Sequence, residues 1–144
     1  VVARFARRYG QARLAARLFR IRCGLSRRLA LEPLDVLVRD LGRVAPRFGV
    51  SFEDALSVIR VVEPVVARCP WIENTCLFRA LGRFAVLRSE GFSVEVLMGM
   101  GEDGTSDTGH AWILVDGVAF DADDAHEASR MAVTFRSSSL ESPG

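Results

Sequence analysis

Cys76-Leu77-Phe78-Arg79-Ala80-Leu81-Gly82-Arg83-Phe84-Ala85-Val86-Leu87-Arg88-Ser89 runs through Glu90-Gly91-Phe92-Ser93 into Val94-Glu95-Val96-Leu97-Met98. The apolar period changes inside this stretch. Leu77, Ala80, Leu81, Phe84 and Leu87 recur at helical spacing, which predicts a helix from about Cys76 to Ser89. Glu90-Gly91 closes it. Val94, Val96 and Met98 then alternate as a strand does. The chain therefore passes from a helical half to a sheet half at about residue 90.

Downstream, Gly99 to Gly109 reads as a glycine- and acid-rich loop and Ala111 to Val115 as a strand. Asp116-Gly117 is a strong hairpin turn, with Val118 to Asp121 as the return strand. The serine-rich tail from Arg136 to Gly144 is expected to be disordered. Upstream, Pro70 stops one helix and Asn74 or Thr75 can cap the next. Ser51-Phe52-Glu53-Asp54 resembles a capping box and opens a helix with the stripe Ala55, Val58, Ile59, Val62, which Pro64 can kink. Pro33 to Val44 forms another. Phe5, Tyr9, Ala12, Ala16 and Phe19 recur at helical spacing among arginines, and Gly24 is the expected end of that first helix. Helices followed by a small antiparallel sheet make the class α+β. We read 1–144 as a single domain, with 1–68 a helical front, 69–135 the functional core and 136–144 a tail.

Nearly half of the 144 residues are apolar, so the chain is globular. No apolar run approaches the roughly 20 residues of a membrane-spanning helix. Arginines interrupt the first segment too often for a secretory signal. Three cysteines, an odd count, then point to free thiols in a reducing compartment, and the expected location is cytoplasmic. The arginine-rich front carries no acid before Glu32, whereas Glu102 to Glu127 is predominantly acidic. GC-rich codon usage is the plain account of an all-arginine basic set. The functional account is a basic face for an acidic partner or peptide. No aromatic-basic platform accompanies the arginines, so nucleic acid is not an expected partner. Neither is a membrane.

Cys76 stands where a helix begins, directly after a polar cap. There the unpaired amides and the helix dipole favour an anion, either a thiolate or the oxyanion of a tetrahedral intermediate. A lone cysteine is as often simply core. His110 favours the chemical reading, because it opens a strand at the sheet's edge, where its ring can meet a helix N-terminus. A Cys–His pair needs a third group to orient the imidazole. If Val115 pairs with Val118 across a two-residue turn, Asp123 falls opposite His110 and Asp121 opposite Trp112. A bulged turn would put Ala122 there instead. The acid is therefore Asp121 or Asp123, with Asp124 an outside candidate.

Three blocks now resemble a known family: Asn74 to Leu81, Gly91 to Gly99 and His110 to Gly117. In order and approximate spacing they look like the leader peptidase of lasso-peptide biosynthesis, the stand-alone peptidase half of the transglutaminase-like B protein. The resemblance is strongest from Val61 to Asp123. It implies a papain/transglutaminase-like cysteine peptidase core that needs no cofactor or metal. Its nucleophile falls on Cys76 and its histidine on His110. It also implies cleavage of the leader from a ribosomally made precursor peptide, delivered by a small leader-recognition protein and passed to a lasso cyclase. The family's acid, about twelve residues beyond the histidine, falls on Ala122, so this chain departs from the pattern there. A transglutaminase-type acyltransferase and a non-catalytic leader- or partner-binding domain are the competing readings.

Other signals carry less. Gly99-Met100-Gly101-Glu102-Asp103-Gly104 matches a dinucleotide fingerprint, but acids fill its spacer and no helix follows. Asp103 and Asp107 lack the remaining ligands of a calcium loop. Cys69, Cys76, His110 and His126 fit no common zinc spacing. Cys23 reads as core, His126 as surface, and Trp112 as core or substrate shelf. Arg79, one turn beyond Cys76, is a candidate substrate contact or a plain solvated arginine.

Overall fold

The computed structural model describes residues 1–43, 48–101 and 109–141. Most of the Gly99–Gly109 loop, including Asp103, Asp107 and the second half of the fingerprint, lies outside the described residues, as does the end of the tail.

Four helices come first: α1 (Val2–Leu31), α2 (Leu34–Leu41), α3 (Phe52–Ala67) and α4 (Cys76–Ser89). Strands β1 (Val94–Gly101), β2 (Gly109–Val115) and β3 (Val118–Ala119) follow, then α5 (Ala122–Ala128), β4 (Met131–Arg136) and a 3-10 turn, Ser137–Leu140. The sheet is antiparallel in the order β3-β2-β1-β4. The α+β class and the helical front are as the periodicity indicates.

α4 is the centre of the molecule. Phe78, Leu81, Phe84, Ala85, Val86 and Leu87 are all buried, so it is apolar nearly all round and not on one stripe. α1, α2 and α3 cover one side of it and β1 and β2 the other. Each fully buried leucine or phenylalanine there contributes about 1.5–3 kcal/mol relative to exposure. α3 is fixed at its start as its sequence suggests, with Ser51 Oγ accepting from the Asp54 amide at 3.2 Å. Arg7 of α1 donates from Nε to Asp54 Oδ2 at 2.8 Å, and this bond holds the Asp54 carboxyl below its ordinary pKa.

Several expectations are corrected. α1 continues through Gly24 to Leu31, because one glycine costs only about 1 kcal/mol and tertiary packing exceeds that. Its buried face is Gly10, Leu14, Leu18, Arg22 and Leu25, whereas Phe5, Tyr9 and Phe19 face outward. Cys23 is likewise exposed, not core. β1 runs on to Gly101, into the expected loop. The tail is ordered as far as Glu141: Ser137 is buried and its Oγ accepts from the Val96 amide at 3.0 Å. β4, unforeseen, pairs with β1 and places that serine there.

Candidate active site

α4 brings Cys76 to the site at its first residue. Thr75 occupies the cap position, but its side chain makes no cap bond, and among the described residues no side chain satisfies the first-turn amides. The approach to Cys76 is held from two sides. Arg22, only 1% exposed, donates from Nη2 to Asn74 Oδ1 at 2.7 Å and to the Glu73 carbonyl at 3.1 Å. Arg79 donates from Nη1 to the Asn74 carbonyl at 3.1 Å. Gly82 makes room for Arg22, since a Cβ there would lie 2.8 Å from Arg22 Cδ. Burial lowers the pKa of Arg22, and its Nε has no hydrogen-bond partner among the described residues. A cation in the core, spent on one loop, is the signal that sequence reading missed; the loop is the one that delivers the cysteine.

β2 supplies His110. Ala111 and Ile113 pack into the core, so strand alternation turns His110 and Trp112 the other way. The two rings lie nearly parallel, centroids 5.8 Å apart at 14°. Gly99, which pairs with His110 across the sheet, is closed over by its neighbours. A Cβ there would meet the Ala132 carbonyl oxygen and Met131 Cβ at 2.9 Å each, and Trp112 Cη2 at 3.2 Å. Its requirement for glycine is packing.

The third group comes from a helix. The Asp116-Gly117 turn has φ of 50° and 80°, and Val115 pairs with Val118 as the two-residue turn requires. The strand then ends at Ala119, two residues short of the expected Asp121. Asp121 becomes the N-cap of α5, whose first turn holds Asp123 and Asp124, acids that suit a helix N-terminus. Asp121 and Asp123 line the same cleft as His110, but among the described residues neither is hydrogen-bonded to it. Asp124 is: Asp124 Oδ1 lies 3.1 Å from His110 Nε2, with both side chains about 15% exposed or less. Asp121 Oδ2 instead accepts from Arg83 Nη1 at 2.7 Å, and Asp123 is exposed. His126 is exposed as well. The run Ala-Asp-Asp-Ala-His-Glu-Ala contains good helix formers, a signal of α5 that the strand reading passed over.

Arg83 secures this arrangement. Its Nε donates to both oxygens of Glu63, at 2.9 and 3.1 Å, and its Nη1 lies 3.9 Å from Asp124 Oδ2. Its guanidinium also stacks over Phe120 at 4.7 Å. Burial works against its charge, but Glu63 and Asp121 outweigh that and raise its pKa.

A carboxylate on Nε2 fixes the neutral imidazole with its proton there, leaving Nδ1 as the basic nitrogen. Among the described residues, Glu127 Oε2 lies 3.8 Å from Nδ1. Cys76, Arg79, Arg83, His110, Asp124 and Glu127 all line one cleft of about 210 Å³. Among the described residues no hydrogen bond joins Cys76 Sγ to His110, and no group of three or more His, Cys, Asp or Glu side chains is placed to hold a metal ion. All three cysteines are free thiols, and no described helix is long and apolar enough to cross a membrane.

The profile of the Transglutaminase-like superfamily matches residues 2–136. The chain belongs to that superfamily, which includes cysteine peptidases and acyltransferases. Comparison with curated proteins and with solved structures gives no match.

Proposed function

We propose that this chain is a cysteine peptidase that removes the leader from a ribosomally made lasso precursor peptide. The observation that carries the chemistry is one cleft lined by a cysteine at an uncapped helix N-terminus and by a histidine paired with a half-buried carboxylate. The lasso assignment rests on the resemblance of the three sequence blocks, which superfamily membership supports at the coarser level.

In this reading a scissile peptide unit lies between Cys76 and His110, which close on it in the Michaelis complex. Catalytic hydrogen bonds of this kind are commonly long in the free enzyme. Nδ1 of His110 takes the Cys76 proton, and the sulfur attacks the carbonyl carbon. The resulting oxyanion sits against the first-turn amides of α4. Collapse breaks the C–N bond, and the imidazolium returns its proton to the departing amine. Water, deprotonated by Nδ1, then releases the leader's new C-terminus from sulfur. Asp124 stabilises the imidazolium throughout and keeps Nδ1 aimed at the cleft. Because His110 has a carboxylate, the substitution at Ala122 does not leave the site without its acid.

A small leader-recognition protein would deliver the precursor, a lasso cyclase would take the product, and the cytoplasm would keep Cys76 reduced. Purified protein incubated with precursor and its leader-binding protein should give two fragments by mass spectrometry. A mass gain from an added amine would instead establish acyl transfer, and binding with no covalent change would end the enzyme assignment.

A further inference from the structure

α1 is apolar on two opposite faces. Leu14, Leu18 and Leu25 enter the core, with Arg22 between them. On the far side, Phe5, Tyr9, Ala12, Ala16, Phe19 and Cys23 follow one another at intervals of four, three, four, three and four. All six are exposed, Phe5 at 70% and Tyr9 at 64%. This is the spacing of a coiled-coil seam, and a single helix has no reason to keep it in water. The apolar surface continues sideways into a groove between α1 and α3 lined by Ala12, Ala15, Val58, Val61 and Val62. Val61 is 68% exposed.

The rims of the seam are cationic. Arg4, Arg8, Arg20 and Arg27 are exposed and meet no carboxylate among the described residues. α1 contains no aspartate or glutamate. Two copies meeting along this face would oppose arginine to arginine, which disfavours a homodimer. A bilayer surface fits less well, because small Ala12 and Ala16 leave the middle of the stripe too shallow to insert, with bulk only at Phe5, Tyr9 and Phe19. Small residues flanked by aromatics are what another helix needs in order to approach closely.

We infer that the outer face of α1, with the α1–α3 groove, is a docking seam for an amphipathic helix of a partner protein whose apolar stripe is bordered by Asp and Glu. The inference is independent of the chemistry at Cys76, and the partner is defined by its charge and period. Carboxylates along the partner's borders meet the rim arginines; leucine-sized side chains fill the groove over Ala12 and Ala15.

The test uses the whole chain and a synthetic helical peptide of about three heptads, with Leu at the seam positions and Glu beside them. A twin peptide carries Lys in place of Glu. Fluorescence anisotropy should show saturable binding of the Glu peptide that weakens with salt, and binding of the Lys twin about tenfold weaker or more. Ala12→Glu/Ala16→Glu should abolish binding while thermal unfolding is unchanged, since both positions are exposed. Arg8→Glu/Arg20→Glu should reverse the preference between the twins. Failure to bind the Glu peptide, equal binding of the twins, or retained binding by Ala12→Glu/Ala16→Glu would overturn the proposal. So would dimerisation through this face in sedimentation, or tighter association with phosphatidylglycerol vesicles than with the peptide.

Discussion

His110 and Asp124 are joined at 3.1 Å although they sit on different kinds of structure, a strand and the first turn of a helix. That bond decides which nitrogen of the ring carries the proton and which faces the cleft. It also singles out Asp124, which sequence spacing places behind Asp121 and Asp123.

Asp124→Ala should therefore lower kcat/KM for precursor cleavage by about a hundredfold or more, the usual scale for losing a group that orients a catalytic base. Asp123→Ala should change it by less than about threefold, as expected for an exposed side chain outside the pair. Asp121→Ala should fall between, because its hydrogen bond is to Arg83 and not to His110. Steady-state kinetics on the three variants would overturn the assignment if Asp123→Ala were the most damaging.

Cys76→Ala and His110→Ala should each abolish cleavage with circular dichroism and melting temperature close to wild type. Wild-type turnover in either would remove the peptidase reading. Iodoacetamide alkylation of Cys76, followed against pH, should differ between wild type and His110→Ala if the two groups exchange a proton. Superimposable profiles would mean that they do not communicate.

Arg22→Met should separate stability from activity. Removing a buried charge whose desolvation is already unfavourable offsets the lost hydrogen bonds, so urea denaturation should shift by no more than about 1 kcal/mol in either direction. The loop at Glu73-Asn74 loses its anchor, however, and kcat/KM should drop about tenfold or more, as small misplacements of reacting groups do. Gly82→Ala, which pushes on Arg22 Cδ, should reproduce the loss of activity. Full activity in both variants would show that the clamp is irrelevant to catalysis.

The Arg7–Asp54 pair should contribute to stability against acid. Asp54 has a folded-state pKa below its ordinary value, so the unfolded chain binds more protons as pH falls through that range. The contribution is complete above the ordinary carboxylate pKa of about 4 and is lost below it, as pH falls through the depressed folded value. Arg7→Met should lower the melting temperature at neutral pH and flatten its decline below pH of about 4. Parallel pH–melting curves for the two proteins would contradict this.

What could be read in advance divides along physical lines. The limits of α4 were legible because Pro70, the polar cap and Glu90-Gly91 are local signals, and the Asp116-Gly117 turn with its Val115–Val118 register was legible for the same reason. Cys76 and His110 stood out because each sits at the end of a well-signalled element. The acid did not, since it depends on where β3 stops, and a two-residue strand carries too little pattern to announce its end. β4 was missed because its residues are mostly exposed and alternate weakly. The orientation of α1 was unreadable in principle: two apolar faces give two solutions, and only the shape of α3 and α4 selects between them.

Gly99 has a wider consequence. It resembles the first letter of a nucleotide-binding signature, yet the space it vacates is taken by Ala132 and Met131 of β4 and by the edge of the indole that lies against the imidazole. The packing beside His110 thus depends on a neighbouring strand that offers no reactive atom of its own. A single methyl at that point would press first on Ala132 and Met131 of β4 and then on the indole edge, so the strand beside His110 tolerates only a hydrogen there.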